Sequence, residues 1–238
     1  MNLSILMATR NAAADLPAAL ASIAEYAPGI PLLIQDGAST DGTVDLLRAR
    51  TAHITHWDSA PDGGIYDAFH RLIDRADTDF VFFLGADDRL LPGWTAAVKQ
   101  LRDPHTVYYA DVRLLSSGKA YAGPFPGERL ARTNICQQAI FYPRQLFERH
   151  RFHTEYRLQA DWHLNMRCHA DPELTLTHLP LCVAEFNDLH GSSSTDYDQA
   201  FNRDYPAHLR RYFSTRAFLR HGLPALLAHH TRRLRGKS

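Results

Sequence analysis

Residues 80–88 read Phe-Val-Phe-Phe-Leu-Gly-Ala-Asp-Asp, an apolar run that ends in two adjacent carboxylates, Asp87 and Asp88. An uninterrupted apolar run of this length is typical of a strand buried on both faces, as in a parallel sheet. Such sheets bind ligands at the carboxyl ends of their strands. Two neighbouring carboxylates there repel each other unless a cation or several donors hold them. The pair therefore indicates a divalent-metal site, or only a turn, since Asp is common in turns.

The chain before this run alternates between strand and helix patterns. The expected strands span residues 3–9, 31–35 and 53–57, and the expected helices span residues 12–26, a stretch through 44–47, and 65–76. Four strands with three intervening helices predict an α/β fold with a Rossmann-like, mostly parallel sheet and helices on both faces.

Polar residues follow each of these four strands. They are Thr9-Arg10-Asn11, Asp36-Gly37, Asp62-Gly63-Gly64 and Asp87-Asp88. Each cluster alone is compatible with turn chemistry, but together they predict a ligand site along one edge of the sheet. The sequence contains no GxGxxG, GxxxxGK[ST], GxSxG or HExxH motif. Dinucleotide-binding, P-loop, esterase-type and zincin sites are therefore not indicated.

Composition limits the cellular setting. The chain has 238 residues, a formal net charge of zero and three cysteines without a CxxC pair. We expect a reducing, cytoplasmic setting, because an odd number of cysteines argues against a disulfide framework and no signal peptide or membrane-spanning run is evident. Residues 203–238 nevertheless contain nine Lys or Arg and one acid. The remainder is net acidic, which argues against nucleic-acid binding.

Seven segments occur in an order that resembles a known family. They are MATRN at 7–11, QDGASTDGT at 35–43, PDGGIYDA at 61–68, GADD at 85–88, QAIFY at 138–142, ADWHL at 160–164 and GSS at 191–193. They are similar to the family 2 glycosyltransferases with a GT-A fold, and more closely to the bacterial branch that builds colanic acid and other surface polysaccharides. The resemblance implies a metal-dependent, inverting transferase that moves a sugar from a nucleotide-sugar donor, preferably UDP-linked, to a glycan or lipid-linked acceptor.

The resemblance also implies roles for the donor-side residues. It places one group of residues at the nucleotide: Thr9, Arg10, Asn11, Asp36, Asp62, Arg71 and Asp87. Asp87 is expected to meet the ribose, and Asp88 to coordinate Mn²⁺ or Mg²⁺ at the diphosphate. His190 is a candidate third metal ligand, although an exposed loop histidine would look the same.

On the acceptor side, the resemblance implies that Asp161 is the catalytic base. A helix-capping Asp would look similar in sequence. Trp162 is expected to stack on a sugar, and Gln138 to lie on the acceptor side. The segment 123–133, with two prolines and two glycines, is expected to form a loop over the acceptor cleft.

We expect a GT-A domain over residues 1–202, with a nucleotide-sugar half (1–112) and an acceptor half (113–202). Residues 203–238 are expected to form a basic helical extension. An amphipathic basic helix can lie on an anionic membrane or pack on the protein by its apolar face, and both alternatives stay open. Two other functions remain possible, a non-catalytic nucleotide- or sugar-binding module and a metal-dependent phosphatase. The phosphatase would require DxDGT after the first strand, where Thr9-Arg10-Asn11 stands.

Overall fold

The computed structural model describes residues 1–50, 54–189, 198–224 and 226. Its strands are β1 (Leu3–Thr9), β2 (Leu32–Asp36), β3 (His56–Ser59), β4 (Phe80–Phe83), β5 (Arg89–Leu90), β6 (Thr106–Leu114), β7 (Ala120–Tyr121), β8 (Ile140–Pro143) and β9 (Thr175–Phe186). Its helices are α1 (Leu16–Tyr26), α2 (Thr43–Ala49), α3 (Ile65–Arg75), α4 (Gly93–Val98), α5 (Gly127–Leu130), α6 (Ala160–Ala170), α7 (Gln199–Tyr212) and α8 (Thr215–Ala217). A π-helical turn, Phe218–Gly222, follows α8.

The strands form one sheet in the order β3-β2-β1-β4-β8-β6-β9-β5, with β7 paired to β6. Strands β1 to β4 pair in parallel, as the four apolar runs predicted. All four residues of β4 are buried, which explains the uninterrupted apolar sequence of this central strand. The third strand begins at His56 rather than at residue 53, and residues 51–53 lie outside the described part of the chain.

The second half of the sheet is mixed in direction. Strands β8 and β6 pair antiparallel, and β6 and β7 form a hairpin, whose turn contains Gly118 at a positive φ of 64°. The twelve-residue strand β9 pairs in parallel with β6 and was not predicted. Its sequence contains Pro180 and several polar residues, and its pairing with β6 is irregular between Tyr109 and Asp111. The proline and the polar residues interrupt the alternation or run of apolar residues by which a strand is recognised in a sequence.

The segment expected to be a loop at 123–133 contains the short helix α5. Further along, α7 packs against the body through Phe201 and Leu209, which are fully buried in the core. The described part of the C-terminal segment therefore packs on the body through α7, and the alternative that the basic segment lies on an anionic membrane stays a prediction. The boundary expected at 202/203 falls inside α7, and the boundary expected at 112/113 falls inside β6. No helix among the described residues is long and apolar enough to cross a membrane.

Candidate active site

The parallel register brings the polar strand ends together. Thr9 pairs with Asp36, and Asp36 pairs with Ser59 on the next strand. The Gly37 amide donates to the Thr9 carbonyl at 2.8 Å. A Cβ atom at Gly37 would lie 2.8 Å from Asp62 Oδ2, so glycine is required for this close approach. The first three polar clusters therefore form one edge, as the sequence predicted.

Asp36 lies beneath this edge. It is fully buried, and its carboxylate accepts hydrogen bonds from the Ser39 amide at 2.9 Å and the Ser59 hydroxyl at 2.6 Å. These contacts hold the loops that follow β2 and β3. Asn11 and Ala38 have positive φ angles of 52° and 57°. Non-glycine residues rarely adopt this conformation, and it is concentrated at functional sites.

The other predicted nucleotide-side residues differ in their surroundings. Arg10 and Asn11 are exposed at the end of β1, whereas Thr9 is buried. The hydroxyl of Thr9 has no hydrogen-bond partner among the described residues. Arg71 donates to Asp67 Oδ2 at 2.9 Å and to the Pro61 carbonyl at 3.1 Å. Arg71 thus stabilises the turn before α3 in this structure.

Both carboxylates after β4 converge on Gly85. A Cβ atom at Gly85 would lie 2.4 Å from Asp88 Oδ2 and 2.9 Å from Asp87 Oδ1. No side chain can occupy that position without displacing the carboxylates. The two oxygen-bearing groups therefore share a small space at the end of the central strand. Oxygen ligands of this kind suit Mg²⁺ and Mn²⁺.

Asp88 is much less accessible than Asp87. It is 1% exposed and accepts hydrogen bonds from the Gly85 amide at 3.2 Å and the Asn187 amide at 2.8 Å. Gln138 donates a further hydrogen bond to this carboxylate. Burial, and then the charge of Asp87, raise the pKa of Asp88 to about 7. Asp88 therefore joins the end of β4 to the end of β9, and Asp87 presents the more accessible carboxylate.

Asp161 is in the first turn of α6 and is partly buried. The Tyr66 hydroxyl lies 2.9 Å from Asp161 Oδ1, and Asn134 Nδ2 donates to Asp161 Oδ2 at 2.7 Å. Burial raises the pKa of Asp161 to about 6, while these two hydrogen bonds favour the charged form. A carboxylate with this pKa is suited to accept a proton near neutral pH. No side-chain cap was found for α6, so the capping alternative has no support here.

A chain of buried and partly buried hydrogen bonds leads to Asp161. The Tyr142 hydroxyl donates to Asn165 Oδ1 at 2.8 Å, and Asn165 Nδ2 donates to Asn134 Oδ1 at 2.8 Å. Asn134 then donates to Asp161. Because each amide uses its oxygen as an acceptor and its nitrogen as a donor, the chain has one direction and ends at the carboxylate.

The segment 134–138 connects Asp161 with Asp88. Asn134, at one end, bonds to Asp161, and Gln138, at the other, bonds to Asp88. Between them, the charges of both Asp88 and Asp161 raise the pKa of the Cys136 thiol, after burial, which is the larger cause. Both carboxylates therefore act on the same short segment and belong to one site.

The predicted acceptor-side residues make contacts within the protein. Trp162 stacks on Phe201 with 5.2 Å between ring centroids, and its Nε1 donates to the Leu130 carbonyl at 2.8 Å. The indole thus joins α6 to α7 and to α5, and its predicted sugar contact stays a prediction. Gln138 lies at Asp88, as described above. His190 lies outside the described residues.

Sequence reasoning missed three contributors to this site, namely Tyr66, Asn134 and Asn187. Tyr66 lies in the quoted PDGGIYDA segment, which could have drawn attention to it. Asn134 lies in a segment without a recognisable pattern, and Asn187 contributes only its backbone amide. A backbone donor leaves no signal in a sequence.

Comparison with known proteins identifies the family of this chain. The sequence profile described as "Glycosyl transferase family 2" matches residues 4–171. The chain belongs to this glycosyltransferase family. A Mycobacterium bovis protein named "PGL/p-HBAD biosynthesis glycosyltransferase" is 38% identical over 219 residues, which covers 87% of this chain and 85% of the relative.

Solved glycosyltransferase structures share the fold. TarS of S. aureus in complex with UDP-GlcNAc gives a TM-score of 0.69 at 15% identity, covering 89% of this family 2 chain. The mannosyltransferase PcManGT of Pyrobaculum calidifontis in complex with GDP-Man and Mn²⁺ gives 0.63 at 19% identity, also covering 89%. The chain spans 65% of the solved TarS chain, which contains residues 1–349, and 62% of the solved PcManGT chain. These likenesses confirm the expected GT-A fold.

Proposed function

We propose that this glycosyltransferase is an inverting enzyme that moves a sugar from a nucleotide-sugar donor, preferably UDP-linked, to a glycan or lipid-linked acceptor. The observation that carries the proposal is the short segment that bonds to Asp88 at one end and to Asp161 at the other. It joins the carboxylates at the strand edge to a carboxylate suited to proton transfer. The mycobacterial relative's name also supports an acceptor in lipid or glycan synthesis.

In this proposal Asp161 is the general base. It removes the proton from an acceptor hydroxyl as that oxygen attacks the anomeric carbon, on the face opposite the leaving nucleoside diphosphate. Tyr66 and Asn134 hold the carboxylate in place and keep it charged near neutral pH. Desolvation keeps its pKa high enough to accept a proton.

At the strand edge, Asp87 and Asp88 would hold Mn²⁺ or Mg²⁺, because their oxygens converge where Gly85 leaves space. When bound, such a cation offsets the charge that develops on the leaving diphosphate. We keep the roles that the resemblance implies, with Asp88 coordinating the cation and Asp87 meeting the ribose. The greater accessibility of Asp87 adds the alternative that Asp87 contacts the cation directly while Asp88 orients the loop. Replacing either with Ala should weaken Mn²⁺-dependent donor binding in calorimetry, and unchanged affinity in both variants would contradict this assignment.

The proposed nucleotide pocket is the edge formed by the ends of β1, β2 and β3. Thr9, Arg10, Asn11 and Asp62 are placed to line it, while Asp36 supports it from beneath. The unpartnered hydroxyl of Thr9 would bond to the nucleotide. The structural neighbours bound to UDP-GlcNAc and to GDP-Man support a nucleotide-sugar donor, and the UDP preference is our proposal.

We further propose cytoplasmic action with peripheral attachment to the inner membrane surface. Residues 203–238 carry nine Lys or Arg and one acid, a balance that attracts anionic lipid headgroups.

The proposed base is tested by Asp161→Asn. The amide cannot accept the proton, so we expect kcat to fall by about 10² to 10⁴-fold while donor affinity stays within about twofold. A panel of nucleotide sugars would be assayed for transfer and for binding. Asp45→Asn, an exposed carboxylate on α2, is the matched control. Undiminished transfer by Asp161→Asn would refute the proposed base and would favour a site that only binds its ligand.

A further inference from the structure

A cavity lies between the α5 segment and the turn after α8. Its volume is about 520 Å³, and it is lined by Glu128, Arg129, Arg132, Thr133, Arg220 and His221. Among these, only Glu128 is acidic and three are arginines. The cavity is therefore positively charged, whereas the proposed active site is built from carboxylates.

This cavity adjoins the segment that contacts the proposed base. That segment, which begins with α5, is attached to α6 at two consecutive residues: Trp162 Nε1 donates to the Leu130 carbonyl at 2.8 Å, and Asp161 accepts from Asn134, four residues after α5, at 2.7 Å. Thr133, which lines the cavity, immediately precedes Asn134. A molecule in the cavity would thus lie next to the segment that positions Asp161.

The arginines are available for an anion to different degrees. Arg129 donates to the carbonyls of Ala122 and Pro124 and stacks over Phe125 at 3.7 Å from the ring centroid. Its position is therefore fixed, and its charge has no carboxylate partner among the described residues. Arg132 and Arg220 are exposed, and no ion pair involves either of them within the described part of the chain.

Glu128 offsets part of this charge. Its carboxylate lies 3.5 Å from His221 Nε2. Even when Glu128 is counted, the three guanidinium groups leave the cavity with an excess of positive charge. Arginine is well suited to bind phosphate, because its planar donors match the phosphate oxygens.

An exposed apolar strip begins beside Arg220, which lines the cavity. Leu219, Leu223 and Leu226 are 54%, 39% and 50% exposed. Their spacing of four and three residues places them along one side of the helical turns. Leu219 precedes Arg220 directly. A ligand with a phosphate group and a hydrocarbon chain would satisfy both features.

We propose that this cavity binds the phosphate group of a lipid-linked acceptor, with Arg132 and Arg220 holding the phosphate and the leucine strip contacting the hydrocarbon. The inference rests on the proposed function and narrows the acceptor class to a lipid phosphate or diphosphate. It places the anionic end of the acceptor at the cavity and leaves the acceptor hydroxyl to reach Asp161.

The test measures binding of geranyl phosphate, geraniol and inorganic phosphate by calorimetry. Wild type is compared with Arg132→Gln/Arg220→Gln and with Arg48→Gln, an exposed arginine on α2. We expect geranyl phosphate to bind wild type and the Arg48 variant equally, and the double variant about tenfold more weakly or worse. Geraniol and inorganic phosphate should each bind wild type at least about tenfold more weakly than geranyl phosphate.

Four results would overturn the proposal. They are no binding of geranyl phosphate by wild type, equal affinity in wild type and the double variant, geraniol binding as tightly as geranyl phosphate, and inorganic phosphate binding as tightly as geranyl phosphate. The last result would identify a site for the free anion. Donor hydrolysis is assayed in parallel on the same samples. If wild type hydrolyses none of the nucleotide sugars, the proposed function is contradicted. If it hydrolyses a nucleotide sugar but does not bind geranyl phosphate, only the proposed role of the cavity is contradicted.

Discussion

At the scale of single residues, the site depends on how burial and hydrogen bonding oppose each other at Asp161. Burial raises the pKa of this carboxyl, and donors from Tyr66 and Asn134 lower it, so that it lies at about 6. A carboxylate without those donors would be neutral over more of the physiological range. The two donors therefore determine the pH at which the proposed base can work.

The pH dependence follows with a definite sign. Since protonated Asp161 cannot act as a base, we expect kcat/KM to fall as pH drops through about 6. Asn134→Ala removes a donor that favours the charged form, so the acidic limb should move to higher pH by about one unit. The measurement is kcat/KM against pH with a saturating nucleotide sugar.

Gln100→Ala serves as the control, because Gln100 is exposed and its side-chain amide donates to the nearby Ala96 carbonyl at 3.5 Å. Its profile should overlay that of wild type. An Asn134→Ala enzyme with lower activity but an unshifted acidic limb would show that Asn134 acts on structure and not on the charge of Asp161. Tyr66→Phe should shift the limb in the same direction as Asn134→Ala.

The family resemblance pointed to residues that stand in motifs and missed those that contribute through contacts. The roles proposed for Asp87, Asp88 and Asp161 come from that resemblance, and the structure places the segment 134–138 between Asp88 and Asp161. Asn134 could not be identified, because its role depends on distant hydrogen bonds to Asp161 and Asn165. Such pairings between residues far apart in sequence follow only from the fold.

At the scale of elements, α7 shows how the C-terminal part is attached. Phe201 is fully buried and stacks on Trp162, with Tyr156 edge-on at 5.6 Å between ring centroids. Asp198 caps the helix by accepting from the Phe201 amide at 3.1 Å. The same Trp162 bonds to Leu130 beside the basic cavity. The attachment of α7 therefore supports the proposed acceptor side of the site.

Removing the buried ring should weaken this attachment. We expect Phe201→Ala to lower the free energy of unfolding by about 3–5 kcal/mol, because it leaves a cavity between α6 and α7. Urea unfolding followed by circular dichroism measures the change. Leu219→Ala, at a 54% exposed position, should cost about 0.5 kcal/mol or less. An equal decrease in the free energy of unfolding in the two variants would contradict the assigned packing of α7.

The elements that the sequence predicted are those with a regular pattern of apolar residues. Strands β1, β2 and β4 have continuous apolar runs, and α3 has apolar residues at helical spacing, so all four lie close to where they were expected. Strand β9 was missed because Pro180 and polar residues interrupt its pattern, and its stability comes from pairing with β6 and β5. Pairing with distant strands overrides local sequence preference.

At the scale of the whole molecule, charge is divided between the body and the C-terminal residues. Residues 203–238 hold nine Lys or Arg and one acid, and 227–238 alone hold four and none. Truncating the chain near residue 204 would remove Leu209 and Ala217 from the core and so would disturb the fold as well as the charge. Truncation after Leu226 is the better test, since it keeps every described residue.

We expect the chain truncated after Leu226 to bind phosphatidylserine-containing vesicles at least about tenfold more weakly than the full chain. Each Lys or Arg near such a surface contributes about 1 kcal/mol, and four are removed. Flotation with phosphatidylserine-containing and with pure phosphatidylcholine vesicles, at low and high salt, measures the effect. An electrostatic attachment should weaken with salt and require the anionic lipid.

The control is Arg48→Gln/Arg50→Gln, which removes two positive charges around the end of α2 and should float like wild type. If the truncated chain floats as well as the full chain, attachment does not depend on these basic residues, and the exposed leucine strip becomes the surface to substitute next.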